Sequence, residues 1–138
     1  MSVRLFVIED HKMMRKALTD FLEGHANLTI DGMAESAEEA LEQLDESAVD
    51  LVLADAQLPG MDGIEFVRVA RERHPGLLCI MLSGHDHQFY VDQALEAGAR
   101  GYLAKGKPSE IPKAIFRVLD GETYCSTSSH HKEGASKV

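Results

Sequence analysis

Five residues able to do chemistry stand directly after apolar runs: Glu9 and Asp10, Asp55, Ser83 and Lys105. The runs are Val3 to Ile8, Val49 to Ala54 (interrupted by Asp50), Leu77 to Leu82 and Arg100 to Ala104. Short stretches rich in Val, Ile and Leu read as strands covered on both faces. In a parallel sheet the carboxyl ends of all strands open on one edge, so these side chains converge on a single rim. Carboxylates ~4 Å apart repel by about 4 kcal/mol at an effective dielectric of ~20. Such a rim needs a cation, and an all-oxygen, partly hydrated set suits Mg²⁺. A carboxylate beside Mg²⁺, an ammonium and a hydroxyl is also a place to put a phosphoryl group. Asp55 would be the nucleophile that forms an aspartyl phosphate, Lys105 would neutralise its oxygens, and Ser83 would donate to one of them. Taken singly, each residue has a plainer reading: a turn acid, a surface lysine, a helix cap. Their joint occurrence at four strand ends, in the right order, favours the chemical one.

The rest of the chain supplies what such a rim requires. Between His11 and Glu23, Met14, Ala17, Leu18, Phe21 and Leu22 recur at helical spacing, with Gly24 as C-cap; Met13 and Met14 are read as helix packing. Leu28 to Met33 is a weaker strand in which Asp31-Gly32 makes a bulge or an early turn. Ser36 and Glu39 form a capping box before a helix with Ala37, Ala40, Leu41 and Leu44 inward. After Asp55, Pro59-Gly60 turns the chain and Asp62 caps a helix that runs to Arg73. A further helix buries Val91, Ala94 and Leu95. The last, capped by Ser109, turns Ile111, Ala114, Ile115, Val118 and Leu119 inward. Five β-α alternations predict an α/β domain: a flavodoxin-like, doubly wound, five-stranded parallel sheet, order 2-1-3-4-5, with helices on both faces. The domain is expected over residues 1–122 and a linker or disordered tail over 123–138.

Composition narrows the function classes. A chain of 138 residues suits one domain. The net charge of −9 leaves no basic footprint for direct nucleic-acid contact or for an anionic membrane surface. No apolar run reaches the ~18 residues of a membrane span, and no signal-peptide pattern opens the chain. Cys79 and Cys125 fit no metal spacing and no disulfide framework, so a reduced, cytoplasmic protein is expected.

These residues together resemble the receiver domain of two-component response regulators, across residues ~3 to ~122. The resemblance rests on Glu9-Asp10, on Asp55 followed by Leu58-Pro59-Gly60-Met61-Asp62-Gly63, on Ser83-Gly84, on Ala97-Gly98-Ala99-Arg100-Gly101-Tyr102-Leu103, and on Lys105. Asp10-His11 with Arg15 and Leu18, and Leu119-Asp120-Gly121-Glu122-Thr123-Tyr124, are similar to the NarL/FixJ (LuxR-type) branch. The resemblance implies that Asp55 takes a phosphoryl group from a sensor histidine kinase or from a small donor such as acetyl phosphate. It implies that Asp10, Asp55 and the Gln57 carbonyl ligate Mg²⁺ with Glu9 acting through water, that Ser83 and Lys105 grip the phosphate, and that Tyr102 swings on activation. It also implies a homodimer on phosphorylation, and transcription control through a helix-turn-helix output domain outside this chain; a stand-alone receiver is the alternative. On strand period alone Tyr102 reads as a half-buried aromatic. Three departures from the common pattern involve four positions: Glu9 replaces Asp, Gln57 and His85 occupy positions that tune phosphate lifetime, and Gly106 follows Lys105 where Pro is frequent.

Other classes meet obstacles. A nucleotide- or flavin-binding domain needs a Gly- or hydroxyl-rich loop after the first strand, and this chain has Glu9-Asp10-His11-Lys12 there. A phosphohydrolase would need a substrate pocket and a general acid. A silent pseudo-receiver does not fit the intact Asp10, Asp55 and Lys105. A phosphoacceptor that is not a turnover enzyme is the reading that remains.

Overall fold

A computed structural model describes residues 2–84 and 88–125 of the chain. Six strands form one sheet: β1 (Val3–Ile8), β2 (Leu28–Ala34), β3 (Leu51–Asp55), β4 (Leu78–Ser83), β5 (Gly101–Ala104) and β6 (Tyr124–Cys125). They lie in the order β2-β1-β3-β4-β5-β6, and every neighbouring pair is parallel. The helices are α1 (Lys12–Glu23), α2 (Ala37–Leu44), α3 (Gly63–Arg73), α4 (Gln88–Ala97) and α5 (Glu110–Leu119). The fold class and the 2-1-3-4-5 order agree with the sequence reading. The sixth strand does not appear in it: Tyr124 and Cys125, placed in the linker, pair with Gly101 and Tyr102 of β5.

Side-chain alternation along the central strands builds two cores. In β3, Leu51 and Leu53 face one side with Val7, Ile80 and Leu103, under α1 and α5. Val52 and Ala54 face the other with Phe6, Ile8 and Met81, under α2, α3 and α4. All five β3 residues are buried, as a central parallel strand requires. The strand order reverses between β1 and β3, and the crevice at that reversal receives Asp55 and the acidic pair. Cys79 and Cys125 are both free thiols, and burial pushes Cys79 up to about 12. Among the described residues no helix is long and apolar enough to cross a membrane.

Of the two readings of Asp31-Gly32 the bulge holds: Asp31 is skipped in the β1–β2 register between Ile30 and Gly32. Other local expectations are corrected. Gly24 does close α1, but in right-handed geometry, and the left-handed residue is Asn27 (φ 73°). The Ser109 side chain caps nothing, because Glu110 and Ile111 donate their amides to the Lys107 and Pro108 carbonyls instead. Met13 and Met14 are 84% and 42% exposed, so they do not pack α1; Ala17 is exposed as well. Leu119, in the last turn of α5, is 37% exposed and not inward. The tail from Ser126 and the loop residues His85 and Asp86 lie outside the described residues.

Asp62 caps α3 by accepting the Glu65 amide (2.9 Å), and Ser36 caps α2 through the Glu39 amide (3.1 Å). The Glu39 carboxylate reaches back to the Glu35 amide (3.0 Å), one residue earlier than a capping box would place it. Gly63 opens α3 against the end of β3. A Cβ there would fall on the Asp55 carbonyl oxygen and within 2.8 Å of Ala56 Cα, both backbone atoms. Gly63→Ala is therefore expected to cost about 2–3 kcal/mol in urea unfolding. Gly76→Ala, where a Cβ meets nothing within 4 Å, should change stability by less than ~0.5 kcal/mol.

Candidate functional site

β1, β3 and β5 each deliver one charged residue to the same point. Asp55, the last residue of β3, is 3% exposed, and Glu9, just past β1, is 1% exposed. Lys105, just past β5, donates from Nζ to Asp55 Oδ2 (2.9 Å) and lies 3.1 Å from Glu9 Oε1. One ammonium thus bridges two buried carboxylates. The Gln57 backbone N–H donates to the other Asp55 oxygen, Oδ1 (3.0 Å). Ser83 closes β4, is buried, and stands opposite Ala104 in the ladder; its carbonyl accepts the Lys105 amide (2.9 Å). The structure therefore brings Glu9, Asp55, Ser83 and Lys105 to one rim, with Asp10 beside them. The Lys105–Gly106 bond is trans.

Charge balance is incomplete. Burial pushes the Asp55 carboxyl above its ordinary range, opposed by the Gln57 amide and Lys105 and reinforced by the Glu9 charge. Burial would raise Glu9 too, but the His11 amide and Lys105 outweigh it and hold that carboxyl low. For Lys105 burial works against the charge, and the two acids more than compensate, holding its pKa high. The single ammonium is shared between the two acids. Two buried oxygens, Glu9 Oε1 and Asp10 Oδ1, have no hydrogen-bond partner. The Glu9 oxygen touches the Lys105 ammonium only as an ion pair, without hydrogen-bond geometry. The buried Asp10 oxygen without a hydrogen-bond partner, set beside two carboxylates that share one ammonium, fits a hard divalent cation, so the donor set and the sequence-implied Mg²⁺ agree in chemistry.

Tyr102 is fully buried among the side chains beneath α2, α3 and α4, not half-buried as strand period suggests. Gln57 is exposed. His85 lies outside the described residues. Arg15 and His11 entered the sequence reading only through the branch resemblance, with no role at the rim, and the structure gives each a contact there. Arg15 donates from Nη1 to the Glu9 carbonyl (2.7 Å) and so anchors the loop that carries the acidic pair. His11 places Nδ1 3.3 Å from Glu9 Oε2 and 3.4 Å from Asp10 Oδ1. The available signal was their position, next to the pair and one helical turn beyond it. A cavity of about 250 Å³ opens beside Ser83, lined also by Ala56, Gln57, Leu58 and Tyr90.

Comparison with known proteins gives a consistent family. Residues 5–116 match the response regulator receiver domain. The chain is 41% identical over 122 residues to the transcriptional activator protein ExaE of Pseudomonas putida, covering 87% of this chain and 56% of that protein. It is 29% identical over 137 residues to the response regulator UvrY of Escherichia coli K12, covering 99% of this chain and 63% of UvrY. The chain thus spans about three fifths of the length of such relatives. Among solved structures, a LuxR-family two-component response regulator from Aurantimonas superposes with a TM-score of 0.90 at 28% identity, covering 99% of this chain and 98% of that one. The receiver domain of the putative response regulator NarL from Mycobacterium tuberculosis superposes with a TM-score of 0.82 at 31% identity, covering 88% of this chain and 98% of that one. With its acidic rim, its parallel sheet and these relatives, the chain belongs to the response regulator receiver domain family, on the NarL/FixJ branch.

Proposed function

We propose that this domain accepts a phosphoryl group on Asp55 from the phosphohistidine of a sensor histidine kinase, in the cytoplasm. The observation that supports this best is the Lys105 ammonium bridging Asp55 and Glu9 beside an Asp10 oxygen that is buried without a hydrogen-bond partner. An Asp55 oxygen attacks phosphorus, the phosphorus–nitrogen bond breaks, and the imidazole leaves with the electron pair. Asp10, Asp55 and the Gln57 carbonyl would hold Mg²⁺, with Glu9 acting through water. Bound there, Mg²⁺ supplies charge neutralisation at the phosphoryl oxygens.

The protein's own groups do the rest. Lys105 is already within hydrogen-bond distance of the reacting carboxylate, so only a small displacement lets it donate to a phosphoryl oxygen. Ser83 offers a hydroxyl at the adjacent strand end. A charge-assisted hydrogen bond is worth ~1.5–3 kcal/mol, and moving a two-state equilibrium from 1:99 to 99:1 takes ~5.5 kcal/mol. Lys105 and Ser83 acting together approach that figure; either one alone does not. The Lys105 amide is bonded to the Ser83 carbonyl, so β4 and β5 respond as one unit, and Tyr102 on β5 is carried with them. The altered surface would form a homodimer or release a helix-turn-helix output domain outside this chain.

Incubation with acetyl phosphate and Mg²⁺ should add the mass of one phosphoryl group, and Asp55→Asn should add none. More than one modification, or turnover of the donor without retained phosphate, would overturn the reading. The same variant has a stability signature. Asp55 has a raised pKa in the folded state, so its ionisation costs stability as pH rises through that value. Asp55→Asn removes this cost: near neutral pH its Tm should exceed the wild type's by a few degrees, on the order of 1 kcal/mol, and the gap should close as pH falls below the unfolded carboxylate range. Mg²⁺ at a hundred times its Kd should stabilise the wild type by ~2.7 kcal/mol in thermal unfolding, and Asp10→Asn should lose most of that gain.

A further inference from the structure

The turn from β1 into α1 carries Asp10 between two residues whose carbonyls are both held by Arg15. The Arg15 amide donates to the His11 carbonyl (2.9 Å), and its Nη1 donates to the Glu9 carbonyl (2.7 Å). Side chains on a helix lean toward its N-terminus, so an arginine early in α1 reaches back over the strand end. The helix itself gains nothing from a cation there, because positive charge near an N-terminus opposes the macrodipole. The Arg15 side chain is only 15% exposed, and its second arm lies 3.7 Å from Glu35 Oε2, on a side chain that is 70% exposed. On the strand side the Glu9 amide donates to the Ala34 carbonyl (3.1 Å), so the N–H and the C=O of Glu9 are both engaged. The Asp10 carboxylate has no such hold: its buried Oδ1 has no hydrogen-bond partner.

We propose that Arg15 is a positioning residue for the divalent ion: through the Glu9 carbonyl it sets the direction in which the Asp10 carboxylate leaves the backbone. The proposal rests on the reading that Asp10 holds Mg²⁺, and it adds to that reading the residue that orients this ligand. A peptide unit is planar, so holding the Glu9 carbonyl holds the whole Glu9–Asp10 plane. With the His11 carbonyl held as well, the Asp10 backbone is pinned on both sides. A carboxylate aimed before the ion arrives loses less freedom on binding. Groups that orient a metal ligand typically govern affinity by ~10–100-fold. A purely electrostatic role predicts the opposite sign. A guanidinium close to the acidic pair repels a divalent cation, so removing a mere spectator charge would tighten Mg²⁺ binding. The exposed Glu35 pair is worth little, which leaves the bond to the Glu9 carbonyl as the contact that matters.

The test compares Arg15→Gln, Arg15→Lys and Glu35→Gln with the wild-type full chain; Arg15→Met removes the donor a second way should the Gln variant not fold. Mg²⁺ affinity is measured by calorimetry. Exchange of the His11 amide, which donates to Glu9 Oε2 (3.1 Å), is followed by NMR in the metal-free proteins. Arg15→Gln, too short to reach the carbonyl, should weaken Mg²⁺ binding ~10-fold (1.4 kcal/mol) and speed His11 exchange at least ~5-fold. Arg15→Lys, whose ammonium can donate to the same carbonyl, should bind Mg²⁺ within ~3-fold of the wild type, and Glu35→Gln within about twofold. Unchanged or tighter Mg²⁺ binding in Arg15→Gln, an equal loss in Arg15→Lys or Glu35→Gln, or unaltered His11 exchange would each overturn the proposal. Failure of the wild type to bind Mg²⁺, with the His11 exchange difference intact, would overturn the proposed function and leave the hold of Arg15 on the turn standing.

Discussion

One ammonium between two buried carboxylates organises this molecule. Lys105 reaches Asp55 at 2.9 Å and Glu9 at 3.1 Å, tying the ends of β5, β3 and β1 together at the carboxyl edge of the sheet. None of these groups would tolerate its position alone, because removing an isolated charge from water costs several kcal/mol. The bridge makes burial acceptable without making it comfortable. Two anions share one cation, Asp10 adds a third, and the rim stays short of positive charge. A fully neutralised cluster would be a structural staple. The deficit is what makes this rim receptive to a divalent ion.

The sheet is what enforces that crowding. β1 and β3 are adjacent, with Ile8 opposite Ala54, so the residues that follow them cannot separate. Asp55 stands opposite Leu82 and Ser83 opposite Ala104, which sets Lys105 one residue beyond the ladder. Gly63 is the third constraint: only a residue without Cβ lets α3 begin against the Asp55 peptide, and the Gly63 amide bonds the Ala56 carbonyl (3.0 Å). Gly60, at φ 75°, turns the intervening loop so that the Met61 amide can reach Glu38 (3.0 Å). The packing of two aliphatic layers fixes register, and register fixes chemistry.

This explains what the sequence disclosed and what it withheld. Buried parallel strands are written as apolar runs, so the ends of β1, β3, β4 and β5 were legible, and with them Glu9, Asp55, Ser83 and Lys105. Helix caps at Ser36 and Asp62 were legible because a side-chain oxygen and a free amide meet within one turn. Ser109 had the same appearance but not the function, since the Pro108 carbonyl already takes the Ile111 amide and Pro112 has no amide to cap. β6 was not legible because two residues, Tyr124 and Cys125, carry no period; only the open edge of β5 gives them a partner. The outward turn of Met13, Met14 and Leu119 was hidden for a related reason. Helical spacing marks an apolar face but not how much of it the sheet below can cover. His11 and Arg15 act through contacts that depend on how the β1–α1 loop folds back, and residue type alone does not encode that.

β6 also bears on how a change at the rim would leave the domain. β5 is paired on both sides: Ser83 of β4 stands opposite Ala104, and Cys125 of β6 stands opposite Tyr102. The four residues of β5 therefore sit between the rim's hydroxyl and β6. Tyr102 is wholly buried, so any change in its position repacks the side chains around it. A shift of Lys105 and Ser83 toward a new anion thus cannot stay local. It must either shear β5 against β6, breaking short ladder contacts, or carry Tyr124 and Cys125 along. A two-residue strand makes too few contacts to resist strongly, so β6 is the weakest link in the sheet and the place where displacement of β5 would be expressed.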